Sequence, residues 1–110
     1  GYERTLIHEM AHIWMFDPEN KAIMDEFINT FWPNKQVVGT PTTGYAYSNA
    51  YEDFAEAVAS FWENPTKMKS TSPKRFDFIL NKVVGYYRLN PRAMSTNTSL
   101  SSSSTPSRTY

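Results

Sequence analysis

Residues 8–12 read His8-Glu9-Met10-Ala11-His12, and the chain can be interpreted outward from this stretch. On a helix, residues i and i+4 lie one above the other, so His8 and His12 can each direct a ring nitrogen at one point. Glu9 lies about 100° further round, within reach of a water at that point but badly placed to be a ligand. This H-E-x-x-H pattern is typical of a zinc-binding helix. It predicts Zn²⁺ as cofactor and both histidines as ligands.

The composition favours one small domain and argues against several kinds of partner. The chain has 110 residues, of which 40% are apolar and 15% aromatic, enough for a small core. Its formal net charge is zero, with no long run of one sign, so we expect neither nucleic acid nor a membrane surface as partner. No apolar stretch approaches the roughly 18 residues of a membrane span. Cysteine is absent, so a zinc site here would use histidine and carboxylate ligands.

Apolar residues at helical spacing predict a mainly α fold of about four helices. The first helix is expected over 3–16 and, being apolar nearly all round, is expected to be buried. Asp17-Pro18 resembles an N-cap followed by proline, so the second helix is expected from Pro18 to about Trp32. Residues 33–48, rich in Pro, Gly and Thr, are predicted to form a loop. The remaining helices are expected at 50–63, ended by Asn64-Pro65, and from Ser72-Pro73 past Gly85 to about Leu89.

The composition changes after Met94, where 11 of the last 16 residues are Ser or Thr. We therefore expect residues 1–94 to be the domain and residues 95–110 to be a disordered tail. Most large aromatic side chains are expected in the core. They are Trp14, Phe16, Phe31, Trp32, Phe54, Phe61 and Trp62.

A third zinc ligand must come from another part of the chain. Glu52 is the best candidate, because Glu52 and Glu56 are four residues apart on one helix face. One carboxylate could bind the metal, and the other could accept the free ring N–H of a ligating histidine or bind a nearby basic group. Asp53 points about 100° away and is the weaker candidate. Alternatively, Asn49-x-x-Glu52 is a capping box in which Glu52 only closes the helix N-terminus.

Two other zinc-site patterns fit less well. A metzincin would continue with glycine and histidine where this chain has Met15 and Pro18, so that class is excluded. A G-T-x-x-D loop would supply an aspartate ligand, but Gly39-Thr40 is followed by threonine at position 43. A helix without a metal site also remains an alternative, in which His8 and His12 only form a polar stripe on the helix surface.

H-E-x-x-H followed about forty residues later by the segment 51–57, Tyr-Glu-Asp-Phe-Ala-Glu-Ala, resembles the gluzincin metallopeptidases of the anthrax-lethal-factor-like type. That group includes the secreted Pro-Pro endopeptidases. The resemblance covers roughly residues 3–90. It implies a secreted zinc metalloendopeptidase acting on a protein or peptide substrate. The implied metal ligands are His8, His12 and Glu52.

The same resemblance implies how catalysis is divided among the residues. Glu9 is the general base that takes a proton from the attacking water. A loop tyrosine stabilises the oxyanion, and Tyr45, seven residues before Glu52, fits this position best, with Tyr47 as the second choice.

One departure from the family concerns the substrate cleft. Enzymes of this kind have a small sheet before the H-E-x-x-H helix, and this sequence contains no such segment. We therefore expect the chain to be the helical, metal-binding part of a zincin-like catalytic domain, and we do not expect this part necessarily to hydrolyse peptides by itself. The alternative function is a non-catalytic metal-binding or partner-binding domain derived from a zincin.

Overall fold

The computed structural model describes residues 2–85, which fold into five α-helices, with a long connection, 32–49, between the second and the third. No strand occurs within that range, so the prediction of a mainly α fold is confirmed. None of its helices is long and apolar enough to cross a membrane. The helices are α1 (Tyr2–Met15), α2 (Lys21–Phe31), α3 (Ala50–Glu63), α4 (Pro65–Thr71) and α5 (Pro73–Phe78), and α5 continues into a π-helical segment, Ile79–Val84. Three-residue 3₁₀ turns lie at Pro18–Asn20, Pro33–Lys35 and Tyr45–Tyr47.

Residues 65–71, which the sequence prediction left between two helices, form α4. Asn64 serves both helices that meet there. Its backbone N–H donates to the Ser60 carbonyl at the end of α3, and its side chain accepts from the backbone N–H of Lys67 in α4. Pro65 suits the first position of α4, where no N–H is needed. The sequence predicted about four helices, and residues 2–85 contain five. The predicted extension to Leu89 and the predicted tail, 95–110, lie outside the described residues.

Helix α1 packs chiefly against α3, and the two run antiparallel. Their direction follows from the side-chain pairs, since His12 contacts Glu52 and Arg4 contacts Glu63. The alanines at 11, 55 and 59 are all buried, and such small side chains let two helix backbones approach closely. The ring of Trp14 stacks on that of Phe54 with centroids 5.6 Å apart.

The hydrophobic core is built around Phe27 of α2. Its ring contacts Phe31, Phe54 and Phe78, with centroids 4.9 to 5.4 Å apart. Two of these contacts are edge-to-face, an arrangement that aromatic pairs favour over a face-to-face sandwich. Helices α2, α3 and α5 therefore meet at one aromatic cluster.

Two aromatic residues expected in the core are exposed, and so is one face of α1. Phe16 and Trp62 each leave more than half of the residue accessible, so the core prediction was wrong for both. On α1, Leu6, Met10 and Ile13 are 49%, 53% and 75% exposed, whereas the sequence predicted a buried helix. Helix α3 covers one face of α1, and none of the described residues covers the opposite face enough to bury it.

A buried ion pair joins α3 to α5. Asp53 and Arg75 are 0% and 1% exposed, and the guanidinium donates to both carboxylate oxygens at 2.9 to 3.1 Å. The indole N–H of Trp32 also donates to Asp53 Oδ2 at 2.7 Å. The guanidinium lies over the ring of Phe31, 4.3 Å from its centroid. Each charge is thus neutralised and hydrogen-bonded, as burial requires.

The same arginine anchors the connection between α2 and α3. Arg75 donates to the Val38 carbonyl at 2.9 Å, and the Val38 N–H donates back to Phe31. Gly39 follows with φ of +74°, and a Cβ at this position would lie 3.0 Å from the Arg75 guanidinium. Glycine is needed here for two reasons. Other residues are strained at this positive φ, and a side chain would crowd the buried arginine.

Removing one partner of the buried ion pair should be strongly destabilising. We expect Asp53→Asn to lower the free energy of unfolding by about 3–5 kcal/mol, because it leaves the Arg75 charge uncompensated in the interior. Urea denaturation measures this. The matched control is Asp25→Asn, which breaks the exposed Lys21–Asp25 pair and should change little. Equal losses for the two variants would contradict the assignment.

Candidate metal centre

Three potential metal ligands meet between α1 and α3. Oε1 of Glu52 lies 3.0 Å from Nε2 of His8 and 3.1 Å from Nε2 of His12, and the two ring nitrogens are 3.1 Å apart. These three residues form a group that could hold a metal ion. Their side chains are 12% to 22% exposed, so the group is largely but not completely buried.

The outer nitrogen of His8 is held by a second carboxylate. Nδ1 of His8 lies 2.6 Å from Oε2 of Glu56, one helical turn beyond Glu52. An ionised carboxylate only accepts, so this contact places a proton on Nδ1 of His8. The other ring nitrogen, Nε2, faces Glu52 and His12.

Glu56 is fixed by donors from two other parts of the chain. Its Oε1 accepts from Nη2 of Arg4 at 2.8 Å and from the hydroxyl of Thr43 at 2.8 Å. Burial alone would raise the pKa of Glu56, but the hydrogen bonds from Arg4 and Thr43, with the Arg4 charge and His8, outweigh it and lower the pKa below its ordinary value. Glu56 is consequently ionised at neutral pH and remains an acceptor for His8.

The donor set and its spacing are compatible with zinc. Two imidazole nitrogens and one carboxylate oxygen are a common ligand set of catalytic zinc, which leaves the fourth position to water. Around tetrahedral zinc with bonds of about 2.0–2.1 Å, ligand atoms lie about 3.3 Å apart. The observed separations of 3.0 to 3.1 Å are close to that value.

At the start of α3, one residue caps the helix and a different residue faces the histidines. The side chain of Asn49 accepts the backbone N–H groups of Tyr51 and Glu52 and so closes the helix. Oε1 of Glu52 faces the two histidines instead. Asp53, the weaker ligand candidate, is turned into the core against Arg75. The aspartate is therefore not among the residues brought together here.

Glu9 lies on the solvent side of this centre. It is exposed and lines an open cleft of about 640 Å³ next to His12. Its carboxylate makes no hydrogen bond or ion pair with any residue in the described part of the chain, so it is available to a water in the cleft. The other lining residues are Ile13, Phe16, Asp17 and Pro18.

The two candidate tyrosines sit in one 3₁₀ turn, Tyr45–Tyr47. The ring of Tyr45 is tilted against that of His8 with centroids 6.0 Å apart. Tyr47 makes no comparable ring contact among residues 2–85. Both side chains are more than half exposed. Tyr45 is thus the tyrosine that the turn brings beside the histidines.

Arg4 and Thr43 belong to this centre but were not identified from the sequence. Arg4 precedes His8 by four residues, so the row Arg4, His8, His12 on one helix matches the row of acidic residues on α3. That spacing could have identified Arg4. Thr43 lies in an irregular connection, where no periodic signal exists.

Comparison with protein-family models, curated proteins and solved structures finds no match for this chain. The resemblance to gluzincins therefore stays a prediction from the motif residues.

Metal binding by this centre can be measured directly. After the metal is removed with a chelator and Zn²⁺ is added back, we expect metal analysis to find one Zn²⁺ per chain. We expect Glu52→Ala to weaken Zn²⁺ binding more than about 100-fold, because losing a metal ligand weakens binding more than losing the hydrogen-bond partner of a ligand does. Glu26→Ala, at an exposed glutamate remote in sequence from the motif, is the control. Zinc affinity indifferent to Glu52 would instead favour an aspartate ligand or an incomplete site.

Proposed function

We propose that this chain carries the metal centre of a zinc-dependent metalloendopeptidase of gluzincin type. The observation that supports the proposal most is the convergence of Nε2 of His8, Nε2 of His12 and Oε1 of Glu52 within 3.1 Å of one another. These atoms come from helices 40 residues apart in sequence. A secreted location and a protein or peptide substrate remain predictions from the resemblance.

In this proposal three residues bind the ion and the carboxylate of Glu56 orients one of them. His8, His12 and Glu52 would hold the ion, while Glu56 fixes the proton of His8 on Nδ1 and thereby the orientation of the ring. Bound zinc would supply Lewis acidity and lower the pKa of its water to about 7.

Glu9 supplies the proton transfer in this proposal. Its carboxylate faces the cleft that His12 also lines and has no competing partner among residues 2–85. Glu9 accepts a proton from the attacking water and returns it to the nitrogen of the departing amine. Its exposure permits contact with a substrate that lies along the open cleft.

Tyr45 supplies a hydrogen bond to the oxygen of the scissile carbonyl as negative charge develops there. The proximity of its ring to His8 supports this role over the same role for Tyr47.

A second function, partner binding without catalysis, is favoured by a different feature. An apolar groove of about 450 Å³ opens between α1, α3 and the π-helical segment. The exposed α1 residues Leu6 and Ile13 extend the apolar surface nearby. A surface of this kind is typical of protein contacts.

Substitution of Glu9 by Gln separates the two functions. Zinc-loaded chain is incubated with a peptide library, and new termini are identified by mass spectrometry. We expect Glu9→Gln to lower hydrolysis by at least about 100-fold, because the general base is lost, while one zinc stays bound. Glu19→Gln, at an exposed glutamate outside the motif, is the control. Equal hydrolysis by Glu9→Gln and the unaltered chain would reject the role of Glu9, and a zinc-loaded unaltered chain without hydrolysis would favour partner binding.

Paired substitutions identify the oxyanion-stabilising tyrosine. We expect Tyr45→Phe to lower kcat by about 10²–10³-fold, as loss of one oxyanion donor does, with KM and zinc content nearly unchanged. Tyr47→Phe is the matched variant in the same turn and should retain activity. If Tyr47→Phe lowers kcat and Tyr45→Phe does not, Tyr47 is the residue that stabilises the oxyanion.

A further inference from the structure

The hydroxyl of Thr43 connects two parts of the candidate metal centre. It donates to Oε1 of Glu56 at 2.8 Å and accepts the backbone N–H of Ala46 at 3.2 Å. Ala46 is fully buried in the turn that carries Tyr45. One hydroxyl therefore links the carboxylate behind His8 to the backbone of the tyrosine turn.

Arg4 holds the same oxygen of Glu56 from the other side. Its Nη2 donates to Oε1 of Glu56 and to the Ser60 hydroxyl, and its Nη1 donates to Glu63. Oε1 thus accepts from Arg4 and Thr43, while Oε2 faces His8 alone among the described residues.

The division between the two oxygens has a mechanical consequence. The terminal torsion of a glutamate is broad, so a carboxylate without fixed donors rotates readily. Two donors from different elements restrain that rotation at Glu56. The direction of Oε2 then fixes the His8 ring, and through it the direction of Nε2 toward Glu52 and His12.

We propose that Arg4 and Thr43 are positioning residues of the metal centre, acting on His8 through Glu56, and that Thr43 also sets the Tyr45 turn relative to His8. This inference rests on the proposed function, because it assumes that His8 is a metal ligand. Neither residue touches the ligand triangle itself.

The chain offers a matched pair of threonines for the test. Thr43→Val removes the bridging hydroxyl with almost no change of shape, and Thr43→Ser keeps it. Thr42→Val is the control, since the Thr42 hydroxyl is buried without a hydrogen-bond partner among residues 2–85. The full chain is loaded with Co²⁺, whose visible absorption reports coordination geometry, and Zn²⁺ affinity is measured by competition with a chelator.

We expect Thr43→Val to weaken Zn²⁺ binding roughly 3- to 10-fold and to alter the Co²⁺ spectrum. Thr43→Ser and Thr42→Val should match the unaltered chain in both. Arg4→Met should weaken binding roughly 10- to 100-fold, and Arg4→Lys, which keeps a donor for Glu56, should recover part of the loss. A merely structural role would lower the melting temperature of the metal-free chain without altering the Co²⁺ spectrum.

Two results would overturn the inference alone. One is an unaltered Co²⁺ spectrum and Zn²⁺ affinity in Thr43→Val, and the other is equal effects of Thr43→Val and Thr42→Val. If Thr43→Val does not fold, Arg4→Met against Arg4→Lys decides by the same readouts, and equal spectra for the two would overturn it. An unaltered chain that binds neither ion would overturn the proposed function itself, which is a different result.

Discussion

The antiparallel contact of α1 with α3 is the constraint on which the rest of the structure depends. Along this contact, His12 faces Glu52, His8 faces Glu52 and Glu56, and Arg4 faces Glu56 and Glu63. The buried alanines of both helices allow the close approach that brings these polar side chains within bonding distance. A larger residue at Ala55 or Ala59 would separate the helices and every polar pair at once.

The rotation of α3 about its own axis decides which acidic residue faces which neighbour. Glu52 and Asp53 are consecutive, so their side chains leave the helix about 100° apart. Asp53 is fixed in the interior by Arg75 and Trp32, and this leaves Glu52 directed at α1. Replacing the buried pair by apolar residues need not cost stability, but it would remove this directional restraint. The ion pair therefore contributes to the geometry of the candidate site as well as to the core.

Much of this arrangement could be predicted from local sequence, and the failures have identifiable causes. The limits of α3 follow from the Asn49 cap and from Pro65. The predicted Asp17 cap forms, but it begins the 3₁₀ turn Pro18–Asn20 and not α2, which starts at Lys21. Helix α4 was missed because Asn64-Pro65 was interpreted only as an ending, although asparagine can end one helix and cap the next. The exposure of Phe16 and Trp62 depends on which elements cover them, and local periodicity carries no such information. Thr43 was missed for the same reason, since its partner Glu56 lies on another element.

The two glutamates of the site differ in role because their surroundings differ. Glu56 accepts from a guanidinium, a hydroxyl and an imidazole N–H, so its negative charge is already compensated. Glu52 faces two ring nitrogens and has no lysine or arginine in contact within residues 2–85. Glu56 and Glu52 lie against opposite nitrogens of the same His8 ring, Nδ1 and Nε2. Nε2 of His8, Nε2 of His12 and Oε1 of Glu52 form the group that could hold a metal ion. The proposal of a metal centre rests on this difference, because Glu56 is already bound by its own donors whereas Glu52, among the described residues, faces only the two histidines.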